Sequence, residues 1–216
     1  MRSLYLGIFL SVICLCVNAQ TDTAAYRLLG KEIQKKYAPD KRAIYFNMQI
    51  KGDSVKLEST SQEALNEFEK LKPNNANIKY NALLLPNKSL NNLEYGVCNL
   101  SVSNNRANPQ NAAELMTQML LGTPVRILKK QGGFYLVKTP DGYLSWTDGS
   151  AIKPMNLQQY KAWQNYDKVV FTADYGHAFT GPRFNGVRVS DLVSGNILQL
   201  LAKAKCLVKW VIPMGE

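Results

Sequence analysis

Hydrophobic positions along the chain change period several times, and each change marks an element. Ala25, Leu28, Leu29, Ile33 and Tyr37 recur at helical spacing, with Asp22 or Thr23 as the cap and Pro39 as the stop. The period then falls to two. Ile44, Phe46, Met48 and Ile50 alternate with polar residues up to Gly52-Asp53, and Val55 and Leu57 resume beyond the turn, which predicts a hairpin. Thr60 and Glu63 form a capping-box pair ahead of Ala64, Leu65, Phe68 and Leu71, so a second helix follows and Pro73 ends it. Ile78 to Leu85 supplies a last strand, giving the order α-β-β-α-β.

From Tyr95 to Ile152 the pattern is that of short strands. Cys98, Leu100 and Val102 alternate with polar residues in one half-buried strand, and Ala112 to Gln118 leads to Gly122-Thr123-Pro124. Val125 to Ile127 alternates again before a turn at Lys129 to Gly133, and Phe134 to Lys138 pairs with Tyr143 to Trp146 across Thr139-Pro140-Asp141-Gly142. Pro presets φ there and Gly supplies the positive φ that closes the bend. Five strands with tight turns in so short a stretch predict a small, strongly bent barrel. Asn156 then caps a connecting helix through Leu157, Tyr160, Trp163 and Tyr166. Beyond it the pattern repeats: Asp191 to Leu201 matches Gln118 to Leu128 in apolar positions and in its glycine, and Leu207 to Lys209 echoes Leu136 to Lys138.

Composition narrows the class. The 216 residues are 46% hydrophobic with a formal charge of +10, as in a globular chain of two or three small domains. The lysines are scattered and no arginine-rich run or aromatic RNA-binding signature occurs, which argues against nucleic acid. Arg2 followed by the apolar run Leu4 to Val17 and the small residues of Val17-Asn18-Ala19 reads as a cleaved secretory signal over 1–19, too short for a stable membrane span. The protein is therefore expected in the periplasm or outside the cell. Of the remaining cysteines, Cys98 is assigned to the core and Cys206 to the repeat, and the two are treated as independent.

Ser101 to Arg106, Ala113-Glu114-Leu115, Leu121 to Val125, Gly132 to Tyr135 and Pro140 to Trp146 resemble, in order and spacing, a bacterial SH3 domain. The closer likeness is to the first of the paired SH3 domains in secreted NlpC-type cell-wall cysteine peptidases, the dipeptidyl-peptidase VI group, and the repeat is similar to their second. The fold class is then α+β: a signal at 1–19, an α-β-β-α-β domain at 20–93 similar in pattern to BON-like envelope domains, a first SH3 domain at 94–152, a connecting helix at 153–168, and an incomplete second SH3-like domain at 169–216. Where the first module turns at Pro140-Asp141-Gly142, the second reads Trp210 to Glu216. One back-translation of that tail, read two bases later from Lys209, yields Val-Gly-Tyr-Pro-Asp-Gly-Arg. A one-base slip near Lys209 that removes a longer protein's remainder is the expectation; a natural end is the other reading.

The family's catalytic thiolate opens a helix within an Asp-Cys-Ser-Gly-like motif, which this sequence lacks. Cys98 lies in an SH3 strand, Cys206 in the unfinished repeat and His177 in a loop, read as a surface residue, so the chain as written is expected to be catalytically silent, with no metal and no cofactor. What the resemblance implies instead is recognition. In such peptidases an acidic residue and a tyrosine of the first SH3 domain hold the free amino end of a peptidoglycan stem peptide, L-Ala-γ-D-Glu-diamino acid; by position these are Glu114 and Tyr143. Taken alone, Glu114 also reads as an exposed turn acid and Tyr143 as a strand aromatic, while Trp146 reads as core. Two functions follow: the non-catalytic recognition and wall-targeting part of a γ-D-glutamyl-L-diamino-acid endopeptidase, or a non-enzymatic envelope-binding SH3 protein for wall peptides or a protein partner.

Overall fold

The computed structural model describes residues 23–181, 186–204 and 207–211. The expected signal at 1–19, Cys206 and the tail from 212 onward lie outside the described residues. Two compact units divide between Leu85 and Pro86, not between 93 and 94 as the sequence suggested. The reason is local. Leu85 still donates its N–H to Ser59 in the first unit, whereas Asn87 donates to Leu128 in the second, at 2.7 Å.

The first unit holds α1 (residues 23–37), β1 (Phe46–Lys51), β2 (Ser54–Ser59), α2 (Gln62–Leu71) and β3 (Lys79–Leu84). Its sheet has the order β1-β2-β3, with β1 antiparallel and β3 parallel to the central β2, so α2 is the crossover. Val55 and Leu57 of β2 meet Tyr26 and Ile33 of α1 and Ala64, Leu65 and Phe68 of α2 in one core. The α1 face differs from expectation. Ala25 and Leu28 are exposed, and Tyr26 is buried instead because its hydroxyl donates to the Pro73 carbonyl at 2.7 Å. The cap of α2 also moves by one residue: Ser61 Oγ accepts from the Ala64 N–H and donates to Glu63, a carboxylate held below its usual range by its own N–H and that serine.

In the second unit a seven-stranded sheet combines β4 (Tyr95–Cys98), β5 (Val102–Arg106), β6 (Leu115–Leu120), β7 (Pro124–Gln131), β8 (Phe134–Lys138), β9 (Leu144–Asp148) and β10 (Ile152–Met155). Its order is β10-β4-β7-β8-β9-β5-β6, an open hydrogen-bonded series with β10 and β6 at its ends. Met119 of β6 and Ile152 of β10 nevertheless share a core with Cys98, Val125, Ile127 and Val137, so the sheet curls around a single interior. The single strand expected from Tyr95 to Val102 is broken between β4 and β5, and Leu100 at the break is 43% exposed. The turn at 139–142 forms as read, with Gly142 at φ +90° and its N–H on the Thr139 carbonyl at 2.9 Å.

Residues 153–155, expected in the connector, belong to β10; the connector proper is α3 (Leu157–Asn165), capped by a reciprocal Asn156 and Gln159 box. The repeat that follows is visible in the strand pairings. β11 (Lys168–Val170), β14 (Ile197–Ala204) and β15 (Leu207–Val211) form a sheet in the order β11-β14-β15, matching β4-β7-β8, while β12 (Tyr175–Phe179) and β13 (Arg188–Val193) pair as β5 and β6 do. Details agree too. Gly195 has φ +91° where Gly122 has +85°, and a register shift falls between Leu200 and Ala202 as it does between Ile127 and Lys129. In the first module β9 bridges β8 to β5; among the described residues no strand does this between β15 and β12.

Candidate functional site

β5 is the strand on which the candidate site rests. It pairs with β6 on one side and β9 on the other, and the register sets Arg106 opposite both Leu115 and Trp146. Glu114 precedes Leu115 and Tyr143 precedes Leu144, so both stand beyond the same end of the sheet on opposite sides of β5, a lateral span of about 10 Å. The loop that delivers Glu114 is closed by Ala107, whose N–H donates to the Glu114 carbonyl at 3.0 Å, and by Arg106, whose guanidinium donates to the Ala113 carbonyl at 2.8 Å. Ala113 is buried and anchors the bend. The Glu114 side chain is exposed, and its carboxylate has no partner among the described residues.

Tyr143 leaves the turn at Gly142. Its carbonyl accepts from both the Thr139 N–H at 3.0 Å and the Thr139 hydroxyl at 3.1 Å, so the backbone is pinned while the side chain stays 42% exposed. The Thr139 hydroxyl also lies against Asp141. Trp146 is core, 4% exposed, with Lys129 Nζ 5.6 Å from its ring centroid.

Four residues that the pattern did not single out hold β5 against β9. Ser103 Oγ and Thr147 Oγ1 are 2.9 Å apart, and Asn105 Nδ2 donates to Ser145 Oγ at 2.9 Å, all four side chains being buried. Period two marks such residues as a solvent face. Here they face inward and bond one another across strands, leaving Asn105 Oδ1 buried without a partner among the described residues, an arrangement that only the pairing reveals. Together with Arg106 they fix β5 against the strand and loop from which Tyr143 and Glu114 emerge.

The remaining candidates are not brought together into a reactive group. Cys98 has no exposed surface and its thiol is pushed up to about 11 by burial, against a backbone hydrogen bond to Leu100 that acts the other way. It is a protonated core residue rather than a nucleophile. His177 lies in β12 rather than a loop. It is exposed, with Nδ1 3.2 Å from Asp191, and Tyr175 donates to the same carboxylate at 3.2 Å. A hydrogen bond from Arg188 holds that carboxyl below its ordinary value. No grouping of three or more His, Cys, Asp or Glu able to hold a metal occurs among the described residues.

A small, curled antiparallel sheet with β5 flanked by two irregular loops is an SH3-type module. Residues 105–152 match the family model described as the bacterial dipeptidyl-peptidase Sh3 domain. No curated protein matches the chain by sequence. Among solved structures, an NlpC/P60 family protein from Bacillus cereus ATCC 10987 is similar at 18% identity and a TM-score of 0.43, over 55% of this chain and 51% of that one. A novel NlpC/P60 endopeptidase from Photobacterium damselae subsp. piscicida is similar at 18% identity and a TM-score of 0.44, over 58% of this chain and 30% of that one. The chain thus spans about half the length of the first and under a third of the second.

Proposed function

We propose that this chain is the recognition part of a cell-wall peptidase system, a module that holds the free amino end of a peptidoglycan stem peptide and does not itself carry the hydrolytic machinery. One observation carries the reading: within and beside the stretch matched as a dipeptidyl-peptidase SH3 domain, Glu114 and Tyr143 stand exposed at one end of the sheet, on either side of β5. An unpaired carboxylate offers an ammonium a charge-assisted hydrogen bond, and a phenol on the other side of β5 adds a directed donor or acceptor on an apolar ring. The buried, protonated Cys98 accords with a binding role rather than a nucleophilic one.

The reading further places the protein in the periplasm or outside the cell, where such peptides occur. Calorimetric titration with L-Ala-γ-D-Glu-diaminopimelate tests the site. Glu114→Gln, which keeps shape and removes charge, is expected to weaken binding by at least about tenfold, in line with a hydrogen bond to a charged group. Equal affinity of the wild type and Glu114→Gln would refute it.

A further inference from the structure

Two strands end the seven-stranded sheet, and their outer edges are guarded differently. β10 contains Lys153 and Pro154, a charge and a residue without an N–H, both of which discourage another strand from adding on. β6 reads Leu-Met-Thr-Gln-Met-Leu and has neither. Toward its end the second module takes over, since Ile197 donates its N–H to the Leu121 carbonyl at 2.9 Å and Leu120 lies where a side chain on Gly195 would go. The open stretch is therefore Leu115 to Gln118. Leu115 is 50% and Met116 39% exposed, and Gln118 is exposed as well.

The alternation of antiparallel pairing says which backbone groups are offered. Leu121 donates to Ser101, and the register continues with Met119 opposite Ser103 and Thr117 opposite Asn105, so these residues turn their N–H and C=O toward β5 and Gln118 turns its own outward. The register shift between Asn105 and Arg106 leaves Met116 as the extra residue, and since Glu114 faces inward through its carbonyl, Leu115 faces out. Leu115 and Gln118 thus present unpaired donors and acceptors along an uncharged edge whose first neighbour is the free carboxylate of Glu114. That charge fixes the direction of an occupant. An ammonium at Glu114 is the amino end of a chain that runs the same way as β6.

We infer that the outer edge of β6 takes an extended peptide as an added parallel strand, with its amino end at Glu114 and its first amide on the backbone of the Leu115 to Gln118 stretch. This rests on the reading of Glu114 as an ammonium partner, and the experiment separates the two. The full chain is titrated with L-Ala-γ-D-Glu-diaminopimelate, with its Nα-acetyl form, and with a form N-methylated at the amide joining alanine to glutamate. Both modified peptides are expected to bind at least about tenfold more weakly than the parent. If only acetylation weakens binding, the edge pairing is overturned and the Glu114 site stands. If acetylation leaves binding unchanged, the Glu114 site falls and the inference with it. Gln118→Pro removes the outward N–H and the exposed side-chain hydrogen bond to Asn104 while keeping the backbone pairing to β5, and is expected to weaken the parent peptide by a similar factor, whereas Gln118→Ala, which loses only the side-chain bond, is expected to bind as the wild type. Should Gln118→Pro fail to fold, the N-methyl peptide alone decides. A wild-type dimer in sedimentation that Gln118→Pro dissociates would overturn the inference by giving the edge to a second copy.

Discussion

Cys98 sits at the end of β4 with no exposed surface, its Sγ 3.5 Å from the Leu100 carbonyl oxygen. Burial raises its thiol from an ordinary value of 9.0 to about 11. In the unfolded chain the same thiol ionises nearer 9, so the folded state is disfavoured relative to it once the thiolate forms. The associated stability is full below about pH 9 and is lost as pH rises through about 11, a change of roughly 2 to 3 kcal/mol. Urea unfolding between these pH values should show that decline in the wild type and a flatter profile in Cys98→Val. A profile unchanged by the substitution would mean that the thiol does not drive the decline. The assignment of Cys98 to the core was legible from its place in an alternating strand. The roles of Ser103, Asn105, Ser145 and Thr147 were not, because hydroxyl and amide groups that bond one another across strands look like solvent-facing residues along any one strand.

At the scale of elements, the two modules of the second unit are joined by specific contacts. Leu121 shares a core with Ala178, Leu192 and Leu198, and buried Asn196 donates to the Ser101 carbonyl at 2.8 Å while accepting from the Val193 N–H. Gly122 makes the approach possible. A Cβ there would stand 2.4 Å from the Ile197 carbonyl oxygen, and φ is +85°. Gly122→Ala should therefore destabilise the unit by about 2 to 5 kcal/mol, through both backbone strain and the clash. Gly132 also has positive φ, at +57°, but faces open space, so Gly132→Ala should cost about 1 to 2 kcal/mol. Equal effects in denaturant unfolding would contradict the junction. The internal repeat, including its glycine, was readable from apolar spacing. The break at Asn99 to Ser101 was not: period two continues through Leu100, and only the departure of the chain to a different strand pair exposes it.

Across the whole molecule, two units each close a core of their own, one around Val55, Leu57 and Phe68 and the other beginning with the SH3 module. Hydrophobic spacing finds elements and cannot see that the hydrogen bonds change partner between Leu85 and Asn87, where the two units divide. The sequence also named Glu114 and Tyr143 without their relation. What joins them is the register of β5 with both neighbours, a long-range property that no local pattern contains. On the proposed function, this end of the sheet holds the amino end of a peptide. The most direct measurement is a map of backbone amide shifts in the full chain on adding L-Ala-γ-D-Glu-diaminopimelate. Shifts gathered at Glu114, Leu115 to Gln118 and Tyr143, and lost with the Nα-acetyl peptide, are the predicted result. Saturable shifts confined to other residues, or the same map with the acetylated peptide, would contradict it.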